Sequence, residues 1–160
     1  AGGRPDAPGV PDVLRARVGD ARAMRFEQRL RIRFHQSDPA GVLFFGRLFE
    51  LVQSAYEDLG RDVGIDVDAL MRQERSTTPV VHVDADYHAP IAVGEEVVVR
   101  ASVERLGTAS IAMAYEVVGL DGTVRATAHV VHVHVDAVTW QTTPIPPDMR
   151  ARLARYAQDA

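Results

Sequence analysis

With 160 residues, 18 basic and 22 acidic side chains (net charge −4) and 46% hydrophobic residues, the chain has room for one domain and a globular composition. Its basic residues are all arginine and it has no cysteine, which removes P-loop and Schiff-base lysines, disulfides, thiol nucleophiles and cysteine zinc sites. A net-negative chain without a basic run fits nucleic acid poorly, and no apolar run approaches the roughly 18 residues of a membrane span, so a cytoplasmic domain with neither as partner is expected.

Residues 1–24 are rich in Ala, Gly, Pro and Arg and lack the apolar stretch of a secretory signal. They read as a flexible N-terminal extension, with the domain proper over 25–160. From Phe26 to His35 the pattern alternates, Leu30, Ile32 and Phe34 against Arg29, Arg31, Arg33 and His35, which predicts a half-buried strand. The break Gln36-Ser37-Asp38-Pro39-Ala40-Gly41 is turn chemistry. Beyond it, Leu48, Leu51, Val52, Ala55 and Leu59 recur at helical spacing within an apolar stretch from Val42 to Leu59. Phe44, Phe45, Phe49 and Tyr56 widen the apolar surface almost all the way round, so the helix is expected to be buried. Gly60 is placed to end it in the left-handed conformation.

Asp66 or Asp68 is placed to cap a short helix through Ala69, Leu70 and Met71. After Pro79 the period becomes two. Val81, Val83, Ala85 and Tyr87 form one strand face; Val97, Val99, Ala101 and Val103 the next; Ile111, Met113, Tyr115 and Val117 a third. Asp121-Gly122 signals a two-residue hairpin. A last long strand runs from Thr123 to about Val138, and Asp148 caps a terminal helix carrying Met149, Leu153 and Tyr156. This order predicts an α+β domain, an antiparallel sheet of about five strands wrapped round one long buried helix.

Asp38-Pro39-Ala40-Gly41 sets a carboxylate just upstream of that helix. Pro39 fixes φ and Gly41 permits close backbone approach. Free N–H groups at a helix start favour an oxyanion, and a carboxylate beside them is a layout for acyl transfer. The same four residues also make an ordinary turn. Glu50, one turn into the helix, is a competing carboxylate or a solvated helix residue. His132 and His134 share a strand face with Asp136 and would bind metal only if a third ligand converged; a structural or solvated role suits alternating histidines better, and no metal is expected. His35 either tunes Asp38 or faces solvent. Gln53 and Ser54 either reach a substrate or satisfy neighbouring backbone.

The run Arg31-Ile32-Arg33-Phe34-His35-Gln36-Ser37-Asp38-Pro39-Ala40-Gly41-Val42-Leu43-Phe44-Phe45 resembles the signature of hot-dog thioesterases of the 4-hydroxybenzoyl-CoA thioesterase family. A weaker match lies at Thr78-Pro79-Val80-Val81, with Ala85-Asp86-Tyr87 following, and the element order agrees from about Phe26 to Asp136. The resemblance implies a hot-dog fold and an acyl-CoA thioesterase acting on an aryl- or medium-chain acyl-CoA. It implies no cofactor, CoA entering only with the substrate, and a homodimer or homotetramer with active sites between subunits. It implies Asp38 as nucleophile or as general base on water, Gly41 in the same loop, and the Phe45 backbone N–H as oxyanion donor. Phe44, Phe49 and Tyr56 become candidate walls of the acyl site and Thr78 a candidate substrate contact. Arg105 is the one arginine kept where the family has a basic cluster for the CoA phosphates, and Arg125 or Arg47 could grip the nucleotide instead. Phe45, Gly46 and Arg47 depart from the tyrosine, proline and asparagine run often found in relatives. Three alternatives stand beside this reading. One is a hydratase or dehydratase, which would need a histidine such as His35 aimed at Asp38. The others are an acyl carrier protein thioesterase, disfavoured by the acidic charge, and a non-catalytic acyl-thioester-binding protein.

Overall fold

A computed structural model describes residues 25–64 and 76–157. The N-terminal extension and the helix expected at Asp66 or Asp68 lie outside the described residues. The chain runs through β1 (Phe26–Arg31), two 3-10 turns (Phe34–Gln36 and Phe45–Arg47), α1 (Leu48–Asp62), β2 (Ser76–Thr77), β3 (Val80–Tyr87) and β4 (Glu96–Leu106). It continues through β5 (Ser110–Gly119), β6 (Val124–Val133), β7 (Val135–Asp136) and α2 (Pro147–Leu153), closing on a 3-10 turn at Ala154–Tyr156. Five strands form one antiparallel sheet in the order β1-β4-β5-β6-β3, and β2 pairs with β7 in a separate ribbon.

The period-two pattern explains the layering. Val97, Val99, Ala101 and Val103 of β4, Ile111, Met113, Tyr115 and Val117 of β5, and Ala126, Ala128 and Val130 of β6 are all buried. They form one core with Leu48, Leu51, Val52, Ala55 and Leu59 of α1. Each large apolar side chain so buried contributes about 1.5–3 kcal/mol, and their common face fixes the helix on the sheet. Tyr115 lies in register between Ala101 and Ala128, so small neighbours make room for its ring. None of the described helices is long and apolar enough to cross a membrane.

The structure corrects several boundaries. β1 stops at Arg31: the Ile32 N–H makes one last bond in register, to the Glu95 carbonyl (2.9 Å), and the 3-10 turn at Phe34–Gln36 then carries the chain away. Phe34 therefore stands 85% exposed instead of in the core. α1 begins only at Leu48, and Phe44 and Phe45, expected on a buried helix, are exposed. Gly60 is buried inside the helix, which runs on to Asp62, where the Tyr156 hydroxyl donates to the Asp62 carboxylate. The left-handed glycine is Gly64, at φ +73°.

The hairpin after β5 has three residues in its loop, not two. The Gly119 N–H bonds the Thr123 carbonyl (2.9 Å), leaving Leu120, Asp121 and a left-handed Gly122 between them. The long last strand divides at His134: its N–H still bonds the Ala109 carbonyl (2.7 Å), one residue before β5 begins, its carbonyl accepts the Thr143 N–H (3.0 Å), and β7 pairs with β2. Asp148 does not cap α2; Pro146 holds the cap position, Pro147 opens the helix and Asp148 lies in its first turn.

Candidate active site

After β1 the chain folds into a small closed loop. The Asp38 N–H bonds the Val42 carbonyl (2.9 Å), the Gly41 N–H returns to the Asp38 carbonyl (3.0 Å), and Asp38 Oδ1 accepts the Ala40 N–H (2.8 Å). Gly41 sits at φ +77°, a conformation that costs a residue with a Cβ. The Leu43 N–H on the Ile91 carbonyl (2.8 Å) and the Val93 N–H on the Gly41 carbonyl (3.1 Å) stitch the loop to the segment before β4. Asp38 is half-buried, with Oδ1 fixed and Oδ2 without a hydrogen bond among the described residues.

The loop leads directly to the start of the helix. The Phe44 N–H bonds the Gln36 carbonyl (2.9 Å), the Arg47 N–H bonds the Phe44 carbonyl (2.8 Å), and the Leu48 N–H bonds the Phe45 carbonyl. The N–H groups of Phe45 and Gly46 have no acceptor among the described residues, as the first donors of a helix do not. They carry the positive end of the helix dipole. Tyr87, the last residue of β3, donates its hydroxyl to the Phe45 carbonyl. The Phe44 and Phe45 rings lie 4.5 Å apart at 50°. From Gly46 a groove of about 470 Å³ runs along α1, lined by Phe49, Glu50, Gln53, Ser54 and Glu57.

The other polar residues have partners. Glu50 is ion-paired with Arg47. Gln53 Nε2 donates to Glu57 Oε1 (3.0 Å), and Ser54 Oγ accepts from Gln28 Nε2 (3.1 Å). Arg125 holds Glu95 (2.9 Å) and Asp121 (3.1 Å). Arg47 and Arg125 are therefore each paired with carboxylates. Arg105 is exposed and without an ion pair among the described residues, but it lies about 30 Å along β4 from Glu96. One chain does not bring it to Asp38. His35 is exposed on its 3-10 turn and has no bond to Asp38 among the described residues.

Tyr56 and Thr78 come together, but at a second place. The Tyr56 hydroxyl meets Thr78 Oγ1 at 3.1 Å, and its ring stacks on His132 at 4.3 Å and 10°. His132 Nδ1 lies 3.1 Å from the Thr78 carbonyl; a carbonyl only accepts, so this nitrogen carries the proton. Burial pushes the Tyr56 phenol up, against the Thr78 bond, and pushes the His132 imidazole down, again against its bond to Thr78. The cluster sits about 16 Å along α1 from Phe45. His134 is buried with Nδ1 on Thr143 Oγ1 (2.7 Å), and His129 pairs with Glu104 (3.0 Å). No group of three histidine or carboxylate side chains suited to a metal occurs among the described residues.

Tyr87 is the site residue that periodicity does not reveal. Alternation puts it on the α1 side of β3, but only the fold brings it to Phe45.

Residues 32–153 match the sequence profile of the thioesterase-like superfamily. The chain is 32% identical over 120 residues to a 1,4-dihydroxy-2-naphthoyl-CoA hydrolase of Synechococcus sp. (strain CC9902), covering 72% of this chain and 80% of that one. Its fold is similar to that of a 1,4-dihydroxy-2-naphthoyl-CoA thioesterase from Synechocystis (TM-score 0.77, 19% identity, 82% and 96% of the two chains covered). It is also similar to that of the dynemicin thioesterase (TM-score 0.79, 22% identity, 86% and 100% covered). The profile match takes in the Asp38 loop, α1 and four of the five sheet strands. With its five-stranded sheet curled round α1 as a hot-dog fold, the chain belongs to the thioesterase-like superfamily.

Proposed function

We propose that this thioester hydrolase cleaves an aromatic acyl-CoA to the free acid and CoA, with Asp38 as the reacting carboxylate. The reading is carried by one observation: Asp38 has one oxygen fixed and one unengaged on a loop bonded directly to the turn that offers the Phe45 and Gly46 N–H groups. An aromatic acyl group is favoured because relatives bear the name 1,4-dihydroxy-2-naphthoyl-CoA hydrolase. It also suits a groove that sets Phe49 among polar Glu50, Gln53 and Ser54.

The thioester carbonyl oxygen takes its place on the Phe45 N–H. Asp38 then follows one of two routes. It adds to the carbonyl carbon, expelling CoA thiolate and leaving an anhydride that water hydrolyses; or it takes a proton from the water that adds. In both, negative charge gathers on the carbonyl oxygen, where a positioned donor is worth about 10²–10³ in rate. The departing thiolate is protonated as the acid is released. Glu50, held by Arg47, borders the acyl groove and does not react.

The active unit is a homodimer joined along β3, or a tetramer of such dimers. β3 is a sheet edge, and Val80, Val81 and Val83 on it are exposed; an uncovered apolar edge is a template for pairing. Leu106, Ile111, His132 and Val80 share one end of the sheet, while Tyr87 lies toward the other. Antiparallel pairing of two β3 edges about a two-fold axis therefore sets the end bearing the partner's Arg105 beside this chain's Asp38.

Free-thiol release from benzoyl-, hydroxybenzoyl-, 1,4-dihydroxy-2-naphthoyl- and straight-chain acyl-CoAs tests the substrate class. Turnover of the aromatic members is expected; turnover confined to straight chains, or none, would overturn the proposal.

A further inference from the structure

Tyr87 is bound to a rigid frame on one side and to the reacting turn on the other. Its backbone pairs with Ala126 at the end of β3, and the next two N–H groups, of His88 and Ala89, both bond the Arg125 carbonyl (2.8 and 3.0 Å). His88 Nε2 adds a contact to Thr127 Oγ1 at 3.1 Å. From this frame the phenol crosses to the Phe45 carbonyl, which already accepts the Leu48 N–H. The described chain has no cis peptide, so the Phe45 carbonyl and the Gly46 N–H are the two opposed ends of one planar unit. A donor fixed on the carbonyl therefore sets where the Gly46 N–H points. Hydrogen bonds in series polarise one another, so the same contact strengthens the N–H as a donor. Gly46 lines the groove along α1, and a Cβ there would come within 3.1 Å of the Phe44 ring. Gly46 thus borders the space assigned to the substrate, with the Phe44 ring packed beside it.

We propose that Tyr87 is a positioning residue for thioester hydrolysis: its hydroxyl pins and polarises the Phe45–Gly46 peptide, aligning the Gly46 N–H as a second donor beside the Phe45 N–H that receives the charge on the thioester oxygen. This rests on the assignment of Asp38 and the Phe45 N–H given above. Tyr87 touches neither substrate nor reacting atoms in this scheme and acts through the peptide. Burial raises its phenol above the ordinary tyrosine range, which keeps it a donor throughout the neutral range.

Tyr87→Phe removes the hydroxyl and keeps the ring. Losing an oxyanion donor outright costs about 10²–10³ in kcat; loosening one is expected to cost about tenfold, with KM within about twofold. A residue that only supports the fold would lower the amount of folded enzyme and leave kcat per folded molecule unchanged. A second readout is independent of turnover. Benzoyl-CoA labelled with ¹³C at the carbonyl is bound to Asp38→Asn and to the Asp38→Asn/Tyr87→Phe double variant, and the carbonyl stretch is recorded. The band is expected at higher frequency in the double variant, because the carbonyl is less polarised. An identical band in both proteins, or wild-type kcat in Tyr87→Phe, overturns the role of Tyr87 while leaving Asp38 in place. Wild-type hydrolysis by Asp38→Asn instead overturns the site assignment on which it rests.

Discussion

His132 provides a test of the packing under α1 that is independent of catalysis. The imidazole is 3% exposed, stacked on Tyr56 and bonded through Nδ1 to the Thr78 carbonyl. Burial holds its pKa below the ordinary value, with the Thr78 bond opposing the shift. The unfolded chain, with a histidine pKa of about 6.5, therefore binds more protons than the folded one as the pH falls below that value. The His132 contribution is thus present above about pH 6.5 and lost as pH falls through the folded pKa. One proton limits the slope to about 1.4 kcal/mol per pH unit, so the loss between about pH 6.5 and 5 cannot exceed roughly 2 kcal/mol. In a chain of this size that is at most about 4–8 °C in Tm. The lowered carboxyls of Glu96 and Asp121 titrate below this window. Urea unfolding at several pH values should show the loss in wild type and a flatter profile in His132→Gln, whose amide can still serve Thr78. Parallel profiles would refute the buried, neutral imidazole.

Three further perturbations address the core, the hairpin and the edge. Met113→Ala, at a fully buried position on β5, is expected to cost about 2–5 kcal/mol in denaturant unfolding, and a loss under about 1 kcal/mol would contradict the sheet-on-helix core. Gly122→Ala must hold an alanine at φ +81° and should cost about 1 kcal/mol; an unchanged Tm would refute the left-handed turn. Val83→Lys places a charge on the exposed β3 edge, and light scattering should show the proposed dimer becoming a monomer. A wild-type assembly that survives this change would place the subunit contact elsewhere.

Much of the fold is legible because strands β4 to β6 carry their buried apolar face at period two and α1 carries its apolar residues at helical spacing. What is missed depends on partners distant in sequence. The alternation through Phe34 is genuine, yet the 3-10 turn at Phe34–Gln36 takes the chain off the sheet before that ring reaches the core. Gly60 has the right residue type to end a helix, but Tyr156 anchors Asp62 from the C-terminal turn and the helix continues. His132 and His134 look like strand-surface histidines until Thr78, Tyr56 and Thr143 enclose them.

In the candidate site, the Asp38 loop is legible because its turn chemistry is local: Gly41 and the Ala40 contact lie within a few residues. Tyr87 is not, since nothing near it in sequence names Phe45 as its acceptor. The separation of Thr78 and Arg105 from Asp38 is likewise a property of the sheet and not of spacing along the chain.

In the proposed reaction the unengaged oxygen of Asp38 attacks the thioester or deprotonates water. Asp38→Asn keeps the size of the side chain and, through its amide oxygen, the contact with the Ala40 N–H, while removing charge and basicity. The measurement is kcat for this variant beside wild type on the acyl-CoA that wild type turns over fastest. A fall of about a hundredfold or more is expected in a protein with wild-type Tm; a kcat within about threefold of wild type would show that the Asp38 carboxylate does not react.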